Sequence, residues 1–278
     1  MIKENKSILI PVDFSQQSLV AVKQSYSIAK HTKSKLVLLH VSANSETENA
    51  DKLEKLAADT RAESGLTVET IGIKAADAYD AVDKKAEELK CSLLFMGLDE
   101  NAKFKGGFFG GGSTVAKLIS NSPCPVFTIR GTEVKENFKN ILLPFDLTPE
   151  SREKVSYAIQ LANYYQADIK IVSVFPPDDE DYENKLLPYL QQVKKFIKAE
   201  GVSCMNKSIP SKTPAEAILE YASHNATDLI IQMNQKDMSI GERFTGTVGA
   251  KIVELCTLPL LNINPMKRES MSHFSSGM

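Results

Sequence analysis

Residues 7–15, Ser7-Ile8-Leu9-Ile10-Pro11-Val12-Asp13-Phe14-Ser15, recur at 140–148 as Asn140-Ile141-Leu142-Leu143-Pro144-Phe145-Asp146-Leu147-Thr148. Each copy is a short apolar run that ends in proline, an apolar residue, aspartate, a second apolar residue and a hydroxyl side chain. A run this short and this apolar reads as a strand buried on both faces, not as a helix. Ser15 stands where it can cap the helix that follows. Asp13 and Asp146 are 133 positions apart; Gly112 and Gly246, like Pro125 and Pro259, are 134 apart. An offset that holds to within a residue at both ends means that a whole domain is duplicated.

Outward from the first copy, Leu19, Val22, Tyr26 and Ala29 recur at helical spacing. Strands follow at 35–41, 66–73, 92–96 and 126–129, with helices at 50–63 and 75–89 and a third beginning near Ser113. Gly65 breaks one helix, and Pro123 and Pro125 stop another because proline cannot continue it. The second copy repeats the plan, with strands at 168–174 and 228–231. Alternation of this kind predicts an α/β fold of two Rossmann-like domains, each a five-stranded parallel sheet flanked by helices. Residues 1–132 are read as the first domain and 138–264 as the second, with a charged linker between them and a flexible tail at 265–278. Ligands in such sheets sit at the carboxyl ends of the strands, near a switch in strand order. Asp13, Val41 and Gly97 all fall at such ends.

The longest irregular stretch of the first half runs from Met96-Gly97 to Gly112-Ser113-Thr114. It links a strand to a helix start, where unpaired backbone N–H groups and the helix dipole favour an anion. Glycine lets the backbone approach a phosphate, and Ser113 and Thr114 add hydroxyl donors. The plainer reading is a loop ending in a Ser/Thr cap. Gly107 and Gly112 mimic a P-loop, but Ser113 stands where the phosphate-reaching lysine belongs.

Hydrophobic residues make up 42% of the 278, enough for a sizeable core. A formal net charge of −2 gives no footprint for nucleic acid. No apolar run approaches the ~20 residues that span a bilayer, and the start of the chain lacks a signal-peptide pattern, so a cytoplasmic location without membrane contact is expected. The four cysteines are scattered without Cys-x-x-Cys pairs and read as free thiols; no histidine spacing beside them indicates a metal site.

The order and duplication of these short motifs resemble the universal stress protein family in its tandem form, over nearly everything from Ser7 to Asn264. The carriers are Pro11-Val12-Asp13-Phe14-Ser15, His40-Val41, Met96-Gly97, Gly112-Ser113-Thr114 and Pro125-Val126, with Pro144-Phe145-Asp146, Gly246-Thr247 and Pro259-Leu260 in the second half. The resemblance implies an adenine nucleotide alpha hydrolase-like fold and a stress-response regulator. Family members that bind ATP carry Gly-x2-Gly-x9-Gly-Ser/Thr after the fourth strand. By similarity Asp13 and Val41 hold adenine and ribose, and Gly97, Gly112, Ser113 and Thr114 hold the phosphates. Pro11, Val12 and Met96 are counted in the same site. ATP, with Mg accompanying it, is therefore the expected cofactor of the first half.

Two departures shape that expectation. In the first half Glu100 replaces the second glycine and the loop is two residues longer than the motif; Lys103 and Lys105 lie nearby. In the second half Met233 and Lys236 replace the first two glycines, so its site is read as degenerate. Ser113, His40 and Asp13 can be imagined as a catalytic set, but nothing in the sequence brings them together, and no catalytic residue is assigned. A regulator without enzymatic activity is the main reading; a slow nucleotide hydrolase and a ligand-free interaction protein are the alternatives. Phe108-Phe109 is read as folding back over the domain or covering a ligand. The acidic stretch 178–183 is read as a solvated loop before a helix at 186–200. Each fifth strand would leave a bare edge, so the two are expected to meet in an internal pseudo-dimer, with a further homodimer compatible with it.

Overall fold

The computed structural model describes residues 1–98, 112–135, 137–148, 150–234 and 248–265. The first half contains β1 (Ser7–Pro11), α1 (Gln16–Thr32), β2 (Lys35–Ser42), α2 (Ala50–Ser64), β3 (Val68–Lys74), α3 (Ala78–Glu88), β4 (Leu93–Leu98), α4 (Gly112–Asn121) and β5 (Val126–Arg130). The second contains β6 (Asn140–Pro144), α5 (Glu150–Tyr165), β7 (Asp168–Phe175), α6 (Glu180–Ala199), β8 (Cys204–Pro210), α7 (Pro214–His224), β9 (Leu229–Met233), α8 (Val248–Leu255) and β10 (Leu260–Ile263).

Helix boundaries follow from local chemistry. Ser15 caps α1 by accepting the Ser18 N–H at 3.2 Å, and Gly65, at φ 71°, closes α2 by donating to Arg61 O. Asp77 sets the start of α3 three residues later than the periodicity suggests, because its Oδ1 accepts from the N–H groups of Tyr79 and Asp80. The acidic stretch read as a loop is instead largely the first turn of α6. Asp179 caps it by accepting from Tyr182 N at 2.9 Å, and carboxylates are favoured at that end of a helix dipole.

The ten strands of the described residues form one sheet in the order β3-β2-β1-β4-β5-β10-β9-β6-β7-β8. Pairing is parallel within each half and antiparallel at the seam, where Leu260 faces Thr128 and Asn262 faces Val126. The fifth strands therefore cover each other's edges. Strand order reverses between β1 and β4 in one half and between β6 and β9 in the other. Ile8 lies opposite Leu93 as Ile141 lies opposite Leu229. That register puts Gly97 and Met233 at equivalent points.

The core is not divided by half. One apolar cluster covers one face of the sheet from Ile8 through Phe127 and Phe138 to Ile171. A second covers the other face from Leu9 through Val126 and Leu142 to Val172. A stack of aromatic rings crosses the seam on the first face: Phe95 on Phe127 at 4.6 Å, then Phe138 and Tyr165. Polar contacts add to it. Asn262 Nδ2 donates to Val126 O at 3.3 Å, and Asn264 Nδ2 donates to the carbonyls of Ile119 and Ser122. The linker is fastened too, since Lys135 N donates to Gln24 Oε1 at 2.7 Å.

Candidate functional site

At the β1/β4 reversal the chain turns sharply after Val12. Asp13 Oδ1 accepts from Ser15 N at 3.0 Å and from Ser15 Oγ at 2.5 Å, which folds the turn onto the helix start. Phe14 takes the left-handed backbone region at φ 64°, unusual for a bulky residue. Its ring lies against His40 at 5.0 Å. His40 is buried and its Nδ1 bonds Val12 O at 2.7 Å. A carbonyl only accepts, so Nδ1 carries the proton, and Nε2 accepts from Asn49 Nδ2 at 3.3 Å. Both ring nitrogens are thus engaged in holding the turn, which leaves neither to serve Ser113 as a base. Ser173 takes the place of His40 in the second half. Its hydroxyl is too short to make the same bond and is buried without a partner.

Pro11, Val12, Val41 and Met96 are buried at the carboxyl ends of β1, β2 and β4, beside partly exposed Asp13. The loop after β2 forms a wall there. Asn44 Nδ2 donates to Glu48 at 3.0 Å, and Glu46 O lies so close to Gly72 on β3 that a side chain at Gly72 would collide with it. Gly97 has a packing reason of its own. A Cβ there would strike the Gln17 backbone carbonyl and come within 2.7 Å of Ser18 N. The start of α1 lies directly on β4, and only glycine permits it. Helix α4 begins at Gly112-Ser113-Thr114, so its first N–H groups lack intrahelical partners. Glu100, Lys103, Lys105 and Phe108-Phe109 lie outside the described residues, as do Lys236 and Gly246-Thr247.

The second half has diverged at the same place. Asp146 Oδ1 accepts from Thr148 N at 2.9 Å, from Thr148 Oγ1 at 2.5 Å and from Ser151 Oγ at 2.6 Å. Burial pushes the Asp146 carboxyl up, but the bonds from Ser151 and Thr148 and the charge of Lys154 outweigh it and hold it below the usual range. Met233 takes the register position of Gly97, so β9 carries a side chain where β4 has none. Around Asp146, Lys154, Gln232 and Met233 is a cavity of about 220 Å³. Lys154 replaces Ala21 of the first half; an isolated lysine in an otherwise apolar helix face gives no sequence signal of its burial.

An adenine nucleotide fits the donor set of the first half better. The N–H groups without intrahelical partners at the start of α4 suit phosphate oxygens, and Asp13 offers its Oδ2, which has no hydrogen bond among the described residues. In the second half a methionine side chain stands where bare backbone is needed. No group of three or more His, Cys, Asp or Glu side chains among the described residues forms a metal site. No described helix is long and apolar enough to cross a membrane.

Comparison with known proteins agrees with the duplication. The family model "Universal stress protein family" matches residues 4–130 and again 137–263. A universal stress protein of Methanocaldococcus jannaschii is 26% identical over 146 residues, 48% of this chain and 85% of that protein. One from Thermus aquaticus is 27% identical over 134 residues, 45% of this chain and 97% of its own. Among solved structures, a universal stress protein from Archaeoglobus fulgidus superposes with a TM-score of 0.77 at 18% identity, covering 95% of this chain and 98% of that one. A functionally unknown protein from Pseudomonas aeruginosa gives 0.71 at 19% identity, over 94% and 92%. At those identities the structural likeness is one of fold, while the two matches of the family model together cover nearly the whole chain. The chain belongs to the Universal stress protein family, with two copies of the family's domain joined through one sheet.

Proposed function

We propose that this protein is a cytoplasmic stress-response regulator that binds one adenine nucleotide, ATP or a close relative, in its first half. The carrying observation is the asymmetry at equivalent register: Gly97 stands near the end of β4 in one half, and Met233 ends β9 in the other. Backbone capture of phosphate depends on close approach, which a methionine side chain obstructs. In this reading Pro11, Val12, Asp13, Val41 and Met96 enclose base and ribose, and Gly97, Gly112, Ser113 and Thr114 hold the phosphates. Mg accompanies the triphosphate. The two units are residues 1–132 and 138–264. Binding alters shape or partner affinity rather than turning over the nucleotide, a reading supported by the full engagement of the His40 ring. Acid extraction of purified protein followed by chromatography tests it. Co-purifying or added ATP should be retained by the native chain, and Ser113→Ala should weaken binding about fivefold, the scale of one hydrogen bond. Failure of every adenine nucleotide to bind would favour the ligand-free interaction protein instead.

A further inference from the structure

The second half has lost features that suit a nucleotide and gained one that an idle pocket would not keep. Lys154 is 4% exposed, yet lysine is almost never fully buried unless paired. No carboxylate oxygen lies within ion-pair distance of its ammonium among the described residues. One of its donors reaches Ser151 Oγ at 3.4 Å, and Ser151 in turn donates to Asp146. Asp146 is the one described acid bordering the cavity, and its Oδ1 already accepts three hydrogen bonds. Burial lowers the Lys154 pKa to about 8 in spite of Asp146, so the charge is under-compensated where it stands.

A second polar group in the same wall is also unsatisfied. Gln232 Nε2 donates to Asn262 Oδ1 at 2.6 Å and to Gly249 O at 3.1 Å. Both partners only accept, so the amide cannot be turned round, and its Oε1 is a true acceptor. That Oε1 is buried without a partner. Val172, Val174, Ile218, Met233 and Ile252 supply apolar walls. The cavity therefore presents spare ammonium donors and a spare amide acceptor between apolar walls. Its ~220 Å³ is below the roughly 300–1,000 Å³ of pockets for drug-sized ligands and holds about seven waters' worth of volume.

We infer that this cavity binds a small hydroxy-carboxylate, its carboxylate on Lys154 Nζ and its hydroxyl donating to Gln232 Oε1. The site is separate from the nucleotide site of the first half and does not depend on it. Such a ligand supplies the missing counter-charge and the missing donor together. Met233 stands at the register position where a phosphate site would have glycine.

The test uses the full chain at pH 7 and calorimetric titration with lactate and 3-hydroxybutyrate as probes, against propionate, which lacks the donor, and 1,2-propanediol, which lacks the charge. At least one hydroxy acid should bind, the two comparison compounds at least tenfold more weakly, and Lys154→Met should weaken the hydroxy acid at least tenfold. Saturating ATP should not displace it. In the wild-type chain, nitrogen-detected NMR of the lysine ammonium groups should show the Lys154 pKa rising when the probe binds, which keeps the outcome readable if the variant does not fold. No binding by either hydroxy acid, displacement by ATP, or binding that leaves the Lys154 resonance unmoved would overturn the assignment.

Discussion

Replacing Gly97 by alanine separates two reasons for a glycine at the end of β4. A methyl group there meets backbone, not a side chain that can rotate away: the Gln17 carbonyl and Ser18 N, the latter at 2.7 Å. Ordinary carbon contacts need about 3.5 Å or more, and the Gln17 carbonyl is nearer still than Ser18 N, so the start of α1 must retreat by more than ~1 Å. Overpacking of this kind costs typically 1–3 kcal/mol, and the backbone partners place Gly97→Ala at about 3 kcal/mol. At roughly 2 °C per kcal/mol for a chain of this size, the melting temperature should fall by about 6 °C. The retreat also pulls on Asp13, because Ser15 ties its carboxylate to the same helix start. Guanidinium unfolding and ATP titration on the same preparation decide the matter. Stability within 0.5 kcal/mol of the native chain, with ATP binding lost, would refute the packing role and leave ligand approach as the sole reason for the glycine.

The seam should be equally sensitive: Asn262→Ala strips Gln232 Nε2 and Val126 O of a buried partner and should cost about 1–3 kcal/mol in denaturant unfolding, with a loss under 0.5 kcal/mol arguing that the seam is held by apolar packing alone. Lys154 should leave a pH signature. Its folded pKa of about 8 lies below the ordinary 10.5, so between those values the unfolded chain holds a proton that the folded chain has shed, and stability rises with pH through that window. The gain is about 3 kcal/mol and should vanish in Lys154→Met; equal pH profiles for the two proteins would contradict the buried charge.

Much of the fold is legible in the sequence because its signals are local. Apolar runs closed by Pro-x-Asp mark β1 and β6, and the constant offset marks the duplication. The acidic start of α6 was not, since a capping aspartate and carboxylates in a first turn look like any charged loop. The candidate site divides in the same way. Asp13, Val41 and Gly112 announce themselves by position along the chain, whereas long-range packing decides the rest. That Gly97 receives the start of α1, that His40 spans from β2 to Val12, and that Lys154 is buried against Asp146 depend on neighbours distant in sequence. Nor does the repeat show that the two apolar clusters run through the seam, which makes the halves parts of one core.

The stoichiometry of ATP binding tests the central asymmetry most directly. Calorimetric titration of the full chain with ATP and Mg should give one site per chain, abolished by Gly112→Val and retained in Gly246→Val. Two equivalent sites, or binding that survives Gly112→Val and is lost in Gly246→Val, would contradict the assignment of the nucleotide to the first half.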